Sequence, residues 1–239
     1  MKKKIYYRIH HIFTLITLPS FAKTITHYLE TFVYFIKFSK WIKKQTPPIL
    51  DNKKDEKDNR KRRFQLHEKI FKNEKLEGEI IYLEFGVASG TSLKWWVNFN
   101  SNESSRFFGF DSFKGLPEAW FSNKKGDFNQ NGILPDIKDD RLEFVQGLYQ
   151  KTLFNFLKKK KILNKQKIIH IDADLYSSTL FVLTTLHHYL EKDDIIIFDD
   201  FAYIMGEYKA LIDYEKSYYT KYKVIGAVNN YAQIAIKIS

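Results

Sequence analysis

Apolar and polar residues follow two different patterns along the chain, and the change falls about a third of the way along it. In the first part, apolar residues recur every three or four positions, which predicts helices. Two helices are expected within residues 5–45, broken near Pro19 and ended by Pro47, and a third is expected over residues 64–71. The charged stretch at residues 51–63 is typical of a solvated linker or of an exposed helix start.

Beyond this point, short apolar runs alternate with stretches of helical spacing. The alternation predicts an α/β fold with a Rossmann-like, mostly parallel sheet that helices cover on both faces. The last two runs have no helix between them, so the last strand is expected to be antiparallel. The chain would then comprise a basic helical extension, residues 1–76, and an α/β domain, residues 77–239. The seven predicted strands cover residues 80–85, 107–110, 142–145, 168–171, 195–198, 222–225 and 233–238.

Four of the predicted strands end in an acidic residue, namely Glu84, Asp111, Asp172 and Asp199. The carboxyl ends of parallel strands meet at one edge of a sheet, so these side chains are expected to converge on one crevice. A buried carboxylate costs free energy unless it is paired or binds a metal. The pattern therefore indicates a ligand site rather than a purely structural arrangement.

A glycine-containing turn follows the first of these strands. Gly86 lets the backbone approach a ligand, and the next helix offers free backbone N–H groups. Asp111 follows Gly90 by 21 residues, which suits a carboxylate that accepts hydrogen bonds from ribose hydroxyls. Ala88 stands where a dinucleotide fingerprint has glycine, so a smaller adenosyl ligand is favoured. The alternative is a plain strand-to-helix turn.

A second group of acids follows two later strands. Asp172 and Asp174 are two residues apart and so face the same side of an extended chain, while Asp199 and Asp200 end the next strand. Carboxylates at adjacent strand ends form an all-oxygen site for a hard cation, with Mg²⁺ as the default. The alternative is that residues 177–179 only cap a helix and that the two later acids lie in a surface turn.

Charge is distributed unevenly between the two parts. The net charge is +11, and residues 1–76 hold 19 Lys and Arg against 7 Asp and Glu, whereas residues 77–239 hold 20 against 21. A nearly neutral body argues against nucleic acid as the substrate. The basic part suits an anionic membrane or polymer. The chain has no cysteine, which excludes disulfides and thiolate sites.

The longest charge-free run near the N-terminus, residues 9–22, is 14 residues long and is too short to span a bilayer. With the lysines before it, it also mimics a secretory signal, and the alternative is a cytoplasmic helix that packs or lies on a surface. We expect a cytoplasmic protein. A location at the inner face of the membrane, with contact to an anionic membrane or polymer through residues 1–63, stays open. Self-association into a homo-oligomer stays open.

From about residue 80 to its C-terminus, the chain resembles the macrocin O-methyltransferase family, class I S-adenosylmethionine-dependent enzymes that methylate sugar hydroxyls. Five motifs in order carry the resemblance. They lie at residues 83–87 with Gly90, 109–113 with 115–117, 147–149 with 152–153, 171–176 with 178–179, and 199–201.

The resemblance implies a class I methyltransferase fold, S-adenosylmethionine and Mg²⁺ as cofactors, and a sugar or glycan acceptor. It implies Asp174 as the general base and Asp172, Asp199 and Asp200 as the metal ligands. The implied cofactor-binding residues are Glu84, Phe85, Gly86, Gly90, Thr91, Ser92, Asp111, Ser112, Gly147, Leu148 and Asp172.

Two other classes of function stay open from the residues alone. One is a metal-dependent hydrolase or a hydroxylase-like relative of the same broad fold. The other is a non-catalytic protein that binds a membrane surface or a polysaccharide through its basic part. The intact set of acids argues against the second, and bound S-adenosylmethionine would argue against the first.

Overall fold

The computed structural model describes residues 2–15, 20–51, 59–160, 162 and 164–239. The chain divides into two compact units, Met1–Lys43 and Lys44–Ser239. This division differs from the boundary that the charge pattern predicts after residue 76. The predicted helix break near Pro19 and most of the predicted linker, residues 52–58, lie outside the described residues.

The first unit contains two helices, as the apolar spacing predicts. Helix α1 spans Lys2–Leu15 and helix α2 spans Ser20–Ile42. Among the residues that the structure describes, no helix is long and apolar enough to cross a membrane.

The second unit is built on a mixed sheet of eight strands, in the spatial order β1-β7-β8-β6-β5-β2-β3-β4. Every neighbouring pair is parallel except the two that involve β8, which is antiparallel to both β6 and β7. The strands are β1 (Ile49–Asp51), β2 (Ile80–Phe85), β3 (Arg106–Asp111), β4 (Leu142–Gln146), β5 (Gln166–Ile171), β6 (Ile195–Phe198), β7 (Tyr222–Val228) and β8 (Gln233–Ile238).

The expected α/β architecture and its antiparallel last strand are confirmed, but the sheet has eight strands rather than seven. The additional strand, β1, pairs in parallel with β7, with Ile49 opposite Gly226. It has only three residues, too few for an alternating pattern to show in the sequence.

Five helices connect these strands and cover the sheet. They are α3 (Asn59–Asn73), α4 (Thr91–Phe99), α5 (Tyr149–Lys159), α6 (Tyr176–Leu186) and α7 (Lys209–Tyr218). A short 3₁₀ helix, His187–Tyr189, follows α6, and a π-helical turn, Ile204–Tyr208, precedes α7.

The central strand β2 is buried along its whole length, as expected for a parallel strand covered on both faces. Tyr82 stacks on Trp96 of α4 with ring centroids 5.0 Å apart, and Phe85 stacks on Phe110 of β3 at 4.7 Å. This aromatic core fixes the position of the loops that follow β2 and β3, where the candidate site lies.

Helix α3 is part of the second unit and not of the N-terminal accessory region that the charge pattern predicts. Leu66 and Ile70 are fully buried in the same apolar core as the sheet residues. A Cβ at Gly226 would lie only 2.5 Å from Leu66 Cδ1, so β7 passes directly against this helix. The helix is therefore held to the sheet by close apolar packing.

We expect Leu66→Ala to lower the free energy of unfolding by about 2–5 kcal/mol, because it leaves a cavity at a fully buried position. Urea unfolding followed by tryptophan fluorescence measures this, since Phe64 of α3 stacks on Trp95 at 6.0 Å. The matched control is Leu29→Ala on α2, where the side chain is 59% exposed. Equal and small effects of both variants would show that α3 is not part of the core.

Candidate active site

One cavity of about 670 Å³ opens at the carboxyl ends of the parallel strands. Its walls come from the loops after β2, β3, β4, β5 and β6, and from the first turns of α3 through Arg60 and Arg63. Of the site residues predicted from the sequence, those that line this cavity are Glu84, Gly86, Thr91, Ser92, Asp111, Ser112, Gly147, Leu148, Asp172, Asp174, Asp199 and Asp200.

Two predicted cofactor-binding residues, Phe85 and Gly90, do not line the cavity. Phe85 is fully buried and packs edge-on against Tyr149 at 5.4 Å, below the cavity. Gly90 has φ +78°, and a Cβ there would lie 2.8 Å from Pro135 Cβ. In this structure both residues shape the loops around the cavity rather than its surface.

The turn after β2 passes very close to the end of β5. Gly86 has φ +99°, and a Cβ at this position would lie 1.8 Å from the carbonyl oxygen of Asp172. No residue with a side chain fits there without moving one of the two strands. Glycine at this position therefore allows the first loop and the acid-bearing loop to share one cavity.

Asp111 holds this turn in place through its carboxylate. Its Oδ2 accepts the backbone N–H groups of Val87 at 2.9 Å and Ala88 at 2.8 Å, and its Oδ1 accepts that of Phe113 at 2.7 Å. A carboxylate has about four acceptor sites, so Oδ1 retains capacity for a further donor from the cavity. The residue can orient the turn and still accept a ribose hydroxyl.

Arg63 reaches from α3 to the acids at the end of the sheet. Its Nη1 donates to Asp199 Oδ2 at 2.6 Å and lies 3.8 Å from Asp172 Oδ2. The guanidinium and the buried His170 together hold the pKa of Asp199 below its usual range, although burial acts in the opposite direction. Asp199 is therefore an anion that already has a cationic partner within the chain.

His170 of β5 continues this row of alternating charges beneath the cavity. Its Nε2 lies 3.8 Å from Asp199 Oδ1, and its Nδ1 lies 2.9 Å from the hydroxyl of Tyr82 and 3.4 Å from Glu84 Oε2. Burial opposes charge on the imidazole, but the carboxylates of Asp199 and Glu84 raise the pKa of His170 to about 10. Positive and negative side chains therefore alternate along the row, in the order Arg63, Asp199, His170 and Glu84.

A second histidine lies against this row in a different charge state. His67 of α3 is fully buried, and its ring meets that of His170 edge-on at 5.2 Å. Burial and the neighbouring His170 hold its pKa well below the usual range. His67 is therefore a neutral packing group between α3 and β5.

The other acids form a compact group in the wall of the same cavity. Oxygens of Asp172, Asp174 and Asp200 lie within 4.8 Å of one another. Burial and the charge of Asp200 raise the pKa of Asp174 to about 8, and burial and Asp199 raise that of Asp200 to about 6. Asp174 has φ +60°, a conformation that Asp and Asn tolerate better than most residues.

The donor chemistry of this acid group fits a hard divalent cation. All three side chains offer carboxylate oxygens, which is the ligand type that Mg²⁺ prefers. Two nearby buried oxygens, Asp199 Oδ1 and Glu207 Oε1, have no hydrogen-bond partner among the described residues. Burial and the charge of Asp200 raise the pKa of Glu207 well above its usual range, because several carboxyl groups lie close together here.

The structure thus divides the four acids between two partners. Asp199 is bound by Arg63, while Asp200 lies with Asp174. Both acids follow the end of β6 and border the cavity.

Sequence reasoning missed Arg63, His170 and Glu207. Arg63 lies in a strongly charged stretch that is typical of a solvated linker. A usable signal was present, because Arg63, Leu66 and Ile70 recur at helical spacing on one face of α3. His170 and Glu207 stand out only because they are fully buried polar residues. Their burial could not be predicted from the sequence.

Comparisons with protein families, curated proteins and solved structures indicate which class of protein this is. A family model described as a methyltransferase domain matches residues 83–201. A comparison with curated proteins gives no match.

Among solved structures, the chain is similar to the calicheamicin methyltransferase CalS11, with 19% identity and a TM-score of 0.55 over 73% of this chain and 76% of CalS11. It is also similar to the O-methyltransferase NovP, with 19% identity and a TM-score of 0.53 over 72% of this chain and 76% of NovP. A second structure of CalS11, described as a TDP-rhamnose 3'-O-methyltransferase, has 19% identity and a TM-score of 0.53, over 74% and 80% of the two chains. At 19% identity, these similarities show that the chain shares the fold of these structures.

Residues 83–201 therefore form a methyltransferase domain, on a fold of the class I type. The protein is an S-adenosylmethionine-dependent methyltransferase, which decides between the classes of function that the residues alone leave open.

We expect Arg63→Gln to lower the free energy of unfolding by about 3 kcal/mol, because it leaves Asp199 buried without its guanidinium. This loss of stability lies at the low end of the range for breaking a buried ion pair, because the Arg63 side chain is 17% exposed. Urea unfolding in the presence of EDTA measures it, so that no divalent cation compensates for the lost charge.

The control is Arg60→Gln, which changes an exposed arginine of the same helix that borders the same cavity. It should change stability by no more than about 0.5 kcal/mol. If the two variants lose the same small amount of stability, the pairing of Arg63 with Asp199 does not stabilise the fold.

Proposed function

We propose that the protein transfers the methyl group of S-adenosylmethionine to a sugar hydroxyl with the help of Mg²⁺, as a member of the macrocin O-methyltransferase family. The observation that carries this proposal is one cavity shared by the turn at Gly86 and Asp111 and by the acid group at Asp172, Asp174 and Asp200. CalS11, to which the chain is similar, is described as a TDP-rhamnose 3'-O-methyltransferase, and this supports the choice of a sugar acceptor.

The donor is proposed to lie over the turn after β2. Asp111 Oδ1 has acceptor capacity for the ribose, while Ser112, Gly147 and Leu148 form the adjoining wall on the adenine side. Glu84 borders the cavity where the methionine part would lie. The lining residues that the structure describes all belong to the second unit.

The acceptor is proposed to enter between the acid group and an aromatic wall. Trp120 and Phe128 border the cavity and offer apolar ring faces to the C–H groups of a sugar. The indole N–H of Trp120 is buried and has no hydrogen-bond partner among the described residues, so it is available to a sugar oxygen. Glu118, which accepts a hydrogen bond from Ser177 at 2.7 Å, also borders this side.

Asp172, Asp199 and Asp200 are proposed to hold the Mg²⁺. Arg63 occupies Oδ2 of Asp199, so Oδ1 is the oxygen that can contribute. It makes no hydrogen bond among the described residues, and its nearest charged neighbour in the row, His170 Nε2, lies 3.8 Å away. When bound, the ion lowers the pKa of an acceptor hydroxyl and fixes its position.

Asp174 is proposed as the general base. Burial and Asp200 raise its pKa to about 8 in the metal-free site, and a cation bound beside it would lower that pKa towards the range that suits proton transfer at neutral pH. As the proton moves to the Asp174 carboxylate, the acceptor oxygen forms a bond to the methyl carbon and the bond from that carbon to sulfur breaks. The products are a methyl ether and S-adenosylhomocysteine. The reaction is placed in the cytoplasm, where the donor is available.

We expect the purified protein to add one methyl group to at least one member of a panel of nucleotide-linked and polymeric sugars, as detected by mass spectrometry. Excess EDTA should abolish the reaction, because the proposed ligands are three carboxylates that repel one another without a cation. Asp200→Asn should lower both turnover and Mn²⁺ affinity by at least about tenfold, since it removes a charged ligand.

Asp193→Asn is the control for that experiment, because it removes an exposed acid outside the cavity. Full turnover in EDTA would refute the metal requirement. S-adenosylmethionine binding without transfer to any sugar in the panel would refute the assignment of a sugar acceptor from these classes.

We expect Asp174→Asn to reduce turnover by about 10²–10⁴-fold, the usual contribution of a positioned base, and to leave S-adenosylmethionine affinity unchanged. Asparagine also tolerates the positive φ at this position, so the backbone should keep its path. Mn²⁺ titration separates the two roles that the geometry offers this residue. A loss of Mn²⁺ affinity as large as that of Asp200→Asn would identify Asp174 as a ligand and not the base.

A further inference from the structure

The N-terminal helices carry an extensive set of large apolar side chains on their outer surface. On α2 the exposed members are Ile25, Tyr28, Leu29, Phe32, Val33, Phe35 and Ile36. Their exposed fractions are 43–68%, so they are open to solvent along most of the helix. A surface of this size is uncommon on a soluble protein without a binding role.

These side chains share one face of α2. At 100° per residue they fall within an arc of roughly 160°, which is the arrangement of an amphipathic helix. The opposite side of the helix carries Tyr34, which is buried, and His27, which is exposed. The apolar arc is therefore a separate surface from the face that Tyr34 occupies.

Helix α1 also carries exposed apolar side chains along one side. Its exposed apolar residues include Ile5, Ile9, Ile12 and Phe13, which fall on one side of the helix at that spacing. It contains no acidic residue, and its sequence begins with three consecutive lysines.

Charge indicates what kind of partner this surface fits. Residues 1–43 contain eight Lys and Arg residues and one acidic residue, Glu30, so their net charge is +7. A second copy would bring an equally positive surface against the first, and the repulsion disfavours self-association through this face. A hydrated anionic polymer would satisfy the charge but not the apolar arc, which needs an environment that excludes water.

We propose that the helices of Met1–Lys43 lie on an anionic membrane surface, with their apolar faces at the level of the acyl chains and their basic residues at the headgroups. Apolar side chains on one face and basic residues with almost no acidic ones are the combination that such interfacial helices show. Neither helix crosses the bilayer, in agreement with the absence of a spanning helix among the described residues. The proposal does not depend on which hydroxyl the enzyme methylates.

Vesicle co-sedimentation of the full-length protein tests this surface. We expect binding to vesicles of phosphatidylcholine with a quarter phosphatidylglycerol, weaker binding to phosphatidylcholine alone, and loss of the difference in high salt. Phe32→Glu should lower the partition coefficient by about tenfold or more, because burial of a phenylalanine side chain contributes about 1.5–3 kcal/mol.

His27→Glu is the matched control, since it adds the same acidic side chain to the same helix but outside the apolar arc. It should reduce binding less than Phe32→Glu does. Unchanged S-adenosylmethionine affinity in calorimetry shows that both variants keep a folded second unit.

Three results would overturn the proposal. One is no binding of the wild-type protein to anionic vesicles. Another is equal binding by the Phe32 and His27 variants. The third is a wild-type dimer in light scattering that Phe32→Glu dissociates while vesicle binding is unchanged, which would assign the face to a second copy.

Discussion

The site depends on a buried row of alternating charges, Arg63, Asp199, His170 and Glu84. Each buried charge would be costly alone, and each is offset by the next one in the row. The row ties α3 to three adjacent strands, β2, β5 and β6. Within the row, Arg63 and His170 offset the charges of Asp199 and Glu84, which border the cavity, and the group of Asp172, Asp174 and Asp200 is left less balanced.

This arrangement gives the carboxylates different cationic partners. Asp199 is bound by Arg63, while Asp172, Asp174 and Asp200 have no cationic side chain as close to them as that among the described residues. The unbalanced group is where a metal ion and a general base would be needed for transfer of a methyl group to a poorly acidic hydroxyl. The N-terminal helices supply none of the acids proposed for this chemistry. Their positive charge and exposed apolar face suit attachment of the enzyme to a membrane surface.

Much of the fold was accessible from the sequence because buried parallel strands are short apolar runs, and their carboxyl ends meet at one edge of the sheet. The strand-end acids could therefore be predicted to lie together. Strand β1 could not be predicted, since three residues show no period and its partner, β7, lies far along the chain. Arg63 was missed because a charged residue next to other charges resembles a solvated one until the packing of Leu66 is known. The partners of Asp199 and Asp200 depend on side-chain directions that spacing alone leaves open.

The most direct test of the central claim is a crystal structure with S-adenosylhomocysteine and Mn²⁺, with the metal located by anomalous scattering. The account predicts the adenosine next to Asp111 and one anomalous peak coordinated by Asp172, Asp200 and Oδ1 of Asp199, with Arg63 still bound to Oδ2 of Asp199. An anomalous peak away from these acids, or the adenosine outside the cavity at the carboxyl ends of the strands, would contradict it.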